Sequence, residues 1–206
     1  MAMQEQEINT RDLKKKREEK ENPNFNSSCR YCSQAREDIF HLLASCGHLS
    51  ASLYLPVRHD EVGRVLYNAI IRKEHPTHEH VLPSNEIWKS ETTELWWDVD
   101  VKTTPKVKHN KPDMIYWNKT ELKCFIIDIC IPLDQNIKSN EKTKLDRYMP
   151  LSVELKRLYP EYSFVVVPVV IGATGLVTNS LVTSLKDIGF LPDDMKSLIP
   201  NSVTLL

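Results

Sequence analysis

Two short apolar segments separated by a polar tetrapeptide constrain the fold of this chain more than any other feature. Met114–Trp117 and Lys123–Ile131 are rich in aromatic and β-branched residues, which favours β-strands. Residues 118–121 between them are Asn-Lys-Thr-Glu, a composition typical of a turn. The sequence therefore predicts a β-hairpin whose second strand is buried.

This hairpin would bring two acidic residues together. A symmetric turn pairs Trp117 with Cys124, Ile115 with Ile126, and Asp113 with Asp128. Directly opposed residues in an antiparallel pair lie about 4.5–5.5 Å apart at Cβ, and two carboxylates at that separation repel unless a positive charge lies between them. A divalent cation held by oxygen ligands, Mg²⁺ or Mn²⁺, would supply that charge.

Strand alternation indicates the surroundings of Asp128. Residues 124, 126, 128 and 130 share one face of the strand, and the apolar residues 125, 127, 129 and 131 share the core face. An ionised Asp128 in such a strand is costly unless it is liganded or paired. Either acid alone is more often structural, whereas the pair with a basic residue downstream favours a metal site.

Other segments have clear periodicity. Helices are expected over 62–70, with Asp60 as N-cap, over 141–159, kinked or split at Pro150, and over 181–188, ending at Gly189. Residues 95–101 suit a first core strand, and residues 163–171 suit a buried parallel strand with Pro168 at a bulge or an edge. Residues 73–89, with His75, His78 and His80, are interpreted as a loop.

A second metal site is predicted near the N-terminus. Cys29, Cys32, His41 and Cys46 follow the spacing C-x2-C-x8-H-x4-C, which suits a four-coordinate structural Zn²⁺; His48 is an alternative to Cys46. The segment is too short to build its own core. Five cysteines, no signal peptide and a Cys-x-x-Cys favour reduced, intracellular, metal-binding thiols.

Nucleic-acid contacts would have to come from local patches, because the net charge is only -1. Lys106, Lys108 and Lys111 lie in a basic loop that leads into Asp113 and are candidates for phosphate contacts. The longest apolar run, residues 164–177, is interrupted by Pro168 and by glycines and is too short to cross a bilayer, so no membrane partner is expected.

Taken together, the acidic pair, the downstream helix and the Cys-Cys-His-Cys cluster resemble the PD-(D/E)xK nuclease superfamily. The closest resemblance is to the restriction-like endonuclease domain of early-branching, site-specific non-LTR retrotransposons. The superfamily lysine normally lies two residues after the second acid, where this chain has Cys130. In the retrotransposon family that this chain resembles, the lysine comes instead from the following helix. Lys144 of this chain matches that position, and Lys142 and Arg147 are alternatives.

The resemblance implies roles for particular residues. The catalytic residues would be Asp113, Asp128 and Lys144, with the two acids holding Mg²⁺ or Mn²⁺. Auxiliary residues would be Arg58 and His59, which could contact phosphate, Glu61 or Asp60 facing the metals, and Glu141 and Tyr148 flanking Lys144. The resemblance also implies a DNA target, possible contact with the element RNA, a reverse-transcriptase domain of the same element as partner, and a nuclear location.

The expected architecture is α/β, a mixed sheet flanked by helices with a restriction-endonuclease-like core. We expect a polar arm or linker at 1–28, a zinc module at 29–50, an endonuclease-like domain at 51–190 and a tail at 191–206. The expected function is nicking of target DNA to prime reverse transcription. The alternatives are an inactive or domesticated zinc-containing nucleic-acid-binding module, and an RNA-directed or repair nuclease on the same core.

Overall fold

The computed structural model describes residues 9–18, 22–76 and 86–190, and it shows a five-stranded mixed sheet flanked by helices. A sheet with helices on its faces is the α/β arrangement expected from the sequence. In chain order, the elements are α1 (Arg11–Glu18), a π-helical turn (His41–Ser45), α2 (Gly47–Leu49), a π-helical segment (Ser50–His59), α3 (Asp60–Ile71), β1 (Glu86–Lys89), β2 (Thr93–Trp97), β3 (Met114–Asn118), β4 (Lys123–Cys130), a 3₁₀ turn (Asp134–Asn136), α4 (Ile137–Leu158), β5 (Ser163–Val170) and α5 (Asn179–Ile188).

The sheet order is β1-β2-β3-β4-β5, with the first four strands antiparallel and β5 parallel to β4. Helix α4 forms the crossover that a parallel pair requires. The predicted hairpin is confirmed: Trp117 pairs with Cys124 and Ile115 with Ile126. The last pair of this ladder is Met114 with Ile127, so its continuation places Asp113 opposite Asp128.

Two apolar layers cover the two faces of the sheet. One contains Phe125, Ile127 and Ile129 of β4 packed against α3 and α5, as the alternation of β4 predicted. The other contains Ile126 of β4 and packs against Tyr148, Leu151 and Leu155 of α4. The sequence placed Asp128 on this second face, so α4 lies on the same side of the sheet as the acidic pair.

Close packing of α3 on the sheet depends on Gly63. A Cβ at this position would lie 2.1 Å from the Trp97 ring, which is far inside van der Waals contact. The absence of a side chain therefore allows the helix to approach β2 directly.

Several predicted boundaries are wrong. The first strand is β1, which falls in the segment interpreted as a loop, and β2 ends at Trp97 rather than at Val101 because Asp98 takes a positive φ of 53°. Asp60 is not an N-cap, since the preceding π-helical segment leaves the backbone already helical at His59. His75 packs edge-on against Trp88, whereas His78 and His80 lie outside the described residues.

Helix α4 begins at Ile137, earlier than predicted, and continues through Pro150 without a break. Pro150 and Asp146 are both exposed, so water can replace the hydrogen-bond donor that proline lacks. As predicted, β5 is parallel to β4 and lies at the sheet edge, where Pro168 is tolerated. Its predicted burial holds only in the second half, since Val167, Val169 and Val170 are buried whereas Val165 is 43% exposed. Gly189 ends α5 with a φ of 92°, as predicted. The predicted tail, 191–206, lies outside the described residues.

The N-terminal segment packs against the remainder of the protein. Ile39 and Leu43 contact Ala173, and the buried Arg58 side chain donates hydrogen bonds to the carbonyl oxygens of Leu43 (2.7 Å) and Ala173 (3.2 Å). Helix α1 rests on this segment through the buried Asp12, which pairs with Arg36. Among the described residues, no helix is long and apolar enough to cross a membrane.

Candidate metal centres

The four predicted zinc ligands lie together and could hold a metal ion such as zinc. The ligand atoms of Cys29, Cys32, His41 and Cys46, here called the CCHC cluster, all lie within 4.8 Å of one another. The Cys29 and Cys46 sulfurs are 3.9 Å apart, and the Cys32 sulfur is 3.3 Å from His41 Nε2. Sulfurs at about 2.3 Å from a tetrahedral zinc ion lie about 3.8 Å apart, so this spacing fits the ion.

Local structure prepares the CCHC cluster for a cation. Backbone hydrogen bonds from Gln34 and Ala35, with His41, outweigh the effect of burial and lower the pKa of Cys32 to about 6. The Tyr31 amide lies 3.4 Å from the Cys29 sulfur and donates to it. By contrast, burial raises the pKa of Cys46. A bound cation would stabilise the thiolate of Cys46, because metal ligation requires deprotonated sulfur.

A buried acid, Glu37, holds the turn that carries the first two ligands. Its carboxylate accepts hydrogen bonds from the backbone amides of Arg11 (3.0 Å) and Arg30 (2.8 Å) and from the Arg30 guanidinium (2.6 Å). Burial by itself would raise the pKa of Glu37, but these donors outweigh it and lower the pKa to about 2. Glu37 could not be identified from the sequence, since no periodicity distinguishes it from the other acids of this charged region.

We expect Glu37→Gln to destabilise the fold by roughly 3 kcal/mol at pH 7, because a folded pKa of about 2 lies well below the unfolded value of 4.5. A depressed carboxyl pKa contributes stability that is present above pH 4.5 and lost as the pH falls towards 2. Urea unfolding of wild type and variant from pH 7 to pH 2.5 should therefore show a difference that shrinks on acidification.

Both proteins would release bound metal over the same acidic range, so the difference between them isolates Glu37. Glu18→Gln, which changes a partly exposed acid on α1 whose side chain is 40% accessible to solvent, should alter stability by less than about 0.5 kcal/mol. A wild-type advantage that stays constant down to pH 2.5 would contradict this assignment.

The second candidate centre is the acidic pair, Asp113 and Asp128. Asp128 lies on β4 and is buried, while Asp113 immediately precedes β3 and is half-buried. The Ile129 amide donates a 2.6 Å hydrogen bond to Asp113 Oδ2. This contact holds the Asp113 carboxylate against the strand that carries Asp128.

His59 is the other partner of Asp113. Its Nε2 lies 3.1 Å from Asp113 Oδ2, and its Nδ1 lies 3.0 Å from Asp60 Oδ1. Burial would lower the pKa of His59, but the hydrogen bond and charge of Asp113, with those of Asp60, outweigh it and raise the pKa to about 9. His59 is therefore an imidazolium at neutral pH and balances the charge of Asp113. From the sequence, His59 was expected to contact phosphate, and its pairing with Asp113 was not predicted.

Lys144 of α4 forms an ion pair with Asp128, and its Nζ lies 3.4 Å from the Ile129 carbonyl oxygen. Burial, followed by the charge of Asp113, raises the pKa of Asp128, while Lys144 and Tyr148 oppose that shift. Tyr148 also donates a 3.0 Å hydrogen bond to the Lys111 carbonyl, which ties the basic loop to α4. Lys144 and Tyr148 thus lie at the acidic pair.

The structure does not bring the other predicted auxiliary residues to the acidic pair. Glu141 accepts hydrogen bonds from Thr178 (2.7 Å) and Ser180 (3.0 Å) at the start of α5. Arg58 is buried against the carbonyl oxygens described above, so it has a structural contact in place of a phosphate contact. Glu61 pairs with Arg64 on the same helix.

The basic loop is exposed. Lys106 and Lys108 project from the segment between β2 and β3, and Lys111 forms a 2.8 Å ion pair with Asp98. These three positions are accessible to a ligand, and Lys111 is joined to Tyr148 through its own carbonyl.

No known family model matches the sequence, and a search of curated proteins finds no significant match. The chemistry of the two centres is therefore what indicates a function for this chain.

Proposed function

We propose that this chain is a metal-dependent DNA endonuclease domain of the PD-(D/E)xK type, derived from a retrotransposon and acting beside a reverse-transcriptase domain in the nucleus. One observation carries the proposal. Two acids from adjacent antiparallel strands meet at one end of a hairpin, and the ammonium group of Lys144 reaches the same point from the next helix. Carboxylates and an ammonium group gathered in this way suit hydrolysis of a phosphodiester.

The groups at the acidic pair fit a hard divalent cation. Asp113, Asp128 and the Ile129 carbonyl offer only oxygen donors, which is the ligand set that Mg²⁺ and Mn²⁺ prefer. When bound, the ion would lower the pKa of a water molecule and neutralise charge on the phosphate. In the fold described here, the cationic Lys144 contacts two of these oxygen groups, Asp128 and the Ile129 carbonyl. A positive charge is therefore already favoured at this point.

The protein groups around the acids have separate tasks in this proposal. The Lys144 ammonium would stabilise negative charge that develops on the scissile phosphate. His59 and the Ile129 amide hold the Asp113 carboxylate in one orientation. The exposed Lys106, Lys108 and Lys111 would contact the phosphate backbone and set the position of the strand without reading its sequence.

The CCHC cluster has a structural role in this proposal. Zn²⁺ would take all four protein ligands, leaving no open position for a substrate. The contacts of Leu43 and Arg58 would then join the zinc module to the nuclease domain.

Purified protein should nick supercoiled DNA in the presence of Mg²⁺ or Mn²⁺ and not in their absence. Asp113→Asn, Asp128→Asn and Lys144→Met should each lower the nicking rate by about 100-fold or more. The first two remove a carboxylate that would hold the metal ion, and the third removes the ammonium that would stabilise charge on the reacting phosphate. Agarose-gel conversion of supercoiled to open-circular plasmid measures this rate.

Matched controls lie on the same helix. Asp146→Asn and Lys138→Met change exposed residues of α4 away from the acidic pair and should leave nicking within about twofold of wild type. Equal nicking by the wild type and the Asp113 and Asp128 variants would assign the activity to a contaminant and contradict the proposal.

A second candidate is a zinc-containing nucleic-acid-binding module without catalysis. The observation that favours it is that each acid already has a cationic partner, His59 for Asp113 and Lys144 for Asp128. Such a protein would contain one zinc ion per chain and bind nucleic acid, but added Mg²⁺ would produce no nicking. The nicking assay combined with a zinc measurement distinguishes the two candidates.

A further inference from the structure

An aromatic cleft lies at the opposite end of β3 from Asp113. Its volume is about 240 Å³. We call it the aromatic cleft, because its apolar lining consists of Trp96, Trp117, Tyr159 and Tyr162. A volume of this size is below that of a drug-sized pocket and suits a single ring system. Trp117 belongs to the α4 side of the sheet, the side that the acidic pair shares.

Trp117 forms the centre of the cleft. Its ring lies 5.1 Å from that of Tyr159 and 5.1 Å from that of Tyr162, both edge-to-face, and 5.9 Å from that of Trp96. Trp117 is only 6% exposed, whereas Tyr159 is 41% exposed. A buried ring and an exposed ring at one opening form a surface against which a planar group can stack.

The Trp117 indole N–H is a buried hydrogen-bond donor without an acceptor among the residues that the structure describes. The neighbouring Trp96 donates its own N–H to Glu94 at 2.6 Å. Because an unpaired buried donor is unfavourable, a ligand that brings an acceptor oxygen or nitrogen to Trp117 would gain a hydrogen bond.

The charges at the rim discriminate between ligand classes. Glu94 is paired with Lys89 at 2.9 Å and lies 3.7 Å from the Lys119 ammonium, so its charge is largely balanced. Glu161 at the rim is exposed and would repel a phosphate. A quaternary ammonium group could form cation–π contacts with the rings, but it carries no hydrogen-bond acceptor for the Trp117 N–H. A neutral planar ring with carbonyl or ring-nitrogen acceptors can stack on the aromatic rings, is not repelled by Glu161, and can accept a hydrogen bond from Trp117.

We propose that the aromatic cleft binds one unstacked nucleobase. The source assigned to that base, the strand held at the acidic pair, rests on the proposed function. Trp117 is four residues from Asp113, a distance of about 13 Å along a strand. The base would therefore belong to a nucleotide a few positions from the scissile phosphate. Aromatic side chains that stack on single bases are a general means of holding single-stranded nucleic acid.

Binding of short oligonucleotides by the full chain, without added Mg²⁺, tests this inference. The probes are a thymidine 12-mer, a 12-mer of abasic sites and thymidine monophosphate, with quenching of tryptophan fluorescence as readout. The 12-mer should bind about 10-fold or more tightly than its abasic counterpart, because stacking contributes that much per base. Saturable quenching by the monophosphate at concentrations similar to those of the 12-mer would support base binding in the cleft and assign the base to a free nucleotide.

Three substitutions refine the test. Tyr159→Leu and Trp96→Leu keep apolar volume and remove a ring, and each should weaken binding of the 12-mer by about fivefold or more without changing that of the abasic strand. Trp117→Phe removes the free N–H and should weaken thymidine binding even though a ring remains. Phe40→Leu changes an aromatic residue outside the cleft that is 52% exposed and serves as the matched control.

Equal affinity for the thymidine and abasic strands would overturn the inference. Saturable quenching by tetramethylammonium, with no response to the bases, would also overturn it and assign the cleft to an organic cation. Base-dependent binding that Tyr159→Leu removes, in a protein that fails to nick DNA, would support the cleft and contradict only the proposed catalysis. Nicking of DNA without base-dependent binding would support the proposed catalysis and contradict only base binding in the cleft.

Discussion

Lys144→Met should destabilise the fold by about 3–5 kcal/mol at pH 7, the usual effect of leaving a buried charge without its partner. The Asp128 side chain is only 5% exposed and that of Lys144 is 14% exposed, so water cannot replace the lost ammonium. Burial and Asp113 already raise the pKa of Asp128. Without Lys144, that pKa would rise further, and part of the loss would be relieved by protonation of Asp128.

The pH dependence of this variant has a definite sign. A carboxyl whose folded pKa lies above its unfolded value favours the fold at low pH and disfavours it increasingly as the pH rises. The stability deficit of Lys144→Met, measured by urea unfolding, should therefore be larger at pH 8 than at pH 5. Adding Asp128→Asn to Lys144→Met removes the unpaired charge and should recover most of the loss.

Lys138→Met serves as the control on the same helix, because Lys138 is exposed. It should change stability by less than about 0.5 kcal/mol. If Lys144→Met were as stable as this control, the ion pair would contribute nothing to the fold, and its geometry would no longer support a preorganised acidic pair.

Cys29→Ser or Cys46→Ser should have the largest effect on structure, unfolding residues 29–50 and releasing α1. Among the side chains that the structure describes, the apolar cluster at this point has four buried members, two of which belong to the CCHC cluster itself: Cys29, Leu42, Cys46 and Leu49. Such a small cluster does not support a fold without a metal ion. Structural zinc contributes on the order of 10–16 kcal/mol of apparent binding energy in short zinc-binding peptides.

Metal analysis of the purified protein should give one zinc ion per chain, and either serine variant should lose it. A strong chelator should reproduce the loss of protection from hydrogen exchange over residues 29–50. Cys130→Ser changes a cysteine outside the CCHC cluster and should retain the metal, which separates ligation from general thiol chemistry. Full protection in a metal-free wild-type protein would contradict a structural metal.

The hairpin could be predicted because its determinants are local. The alternating apolar residues of β4 and the turn at 118–121 lie within a single stretch of chain, so residue types and spacing determine the register. The CCHC cluster could be predicted for the same reason, since its four ligands fall within a short segment. In both cases, the positions of the functional groups follow from chain connectivity over a few residues.

Features that depend on distant contacts were missed. β1 lies in a segment with little apolar periodicity and is held by pairing with β2, which the sequence of β1 does not indicate. The polar composition of α1 gave no sign that Asp12 would be buried against Arg36. Burial of a charged residue becomes visible only when its partner, 24 positions away, is placed beside it.

The amino-acid sequence by itself determined the grouping of the four CCHC residues, the hairpin that aligns Asp113 with Asp128, and the helix that follows. Lys144 was expected beside those acids and lies there, whereas tertiary structure alone decided the partners of His59 and Glu141. His59 reaches Asp113 across 54 positions, and Glu141, one turn from Lys144, binds the start of α5 instead. The physical reason is that strand register and helical spacing are short-range properties, whereas the partner of a buried charge depends on how separate elements pack.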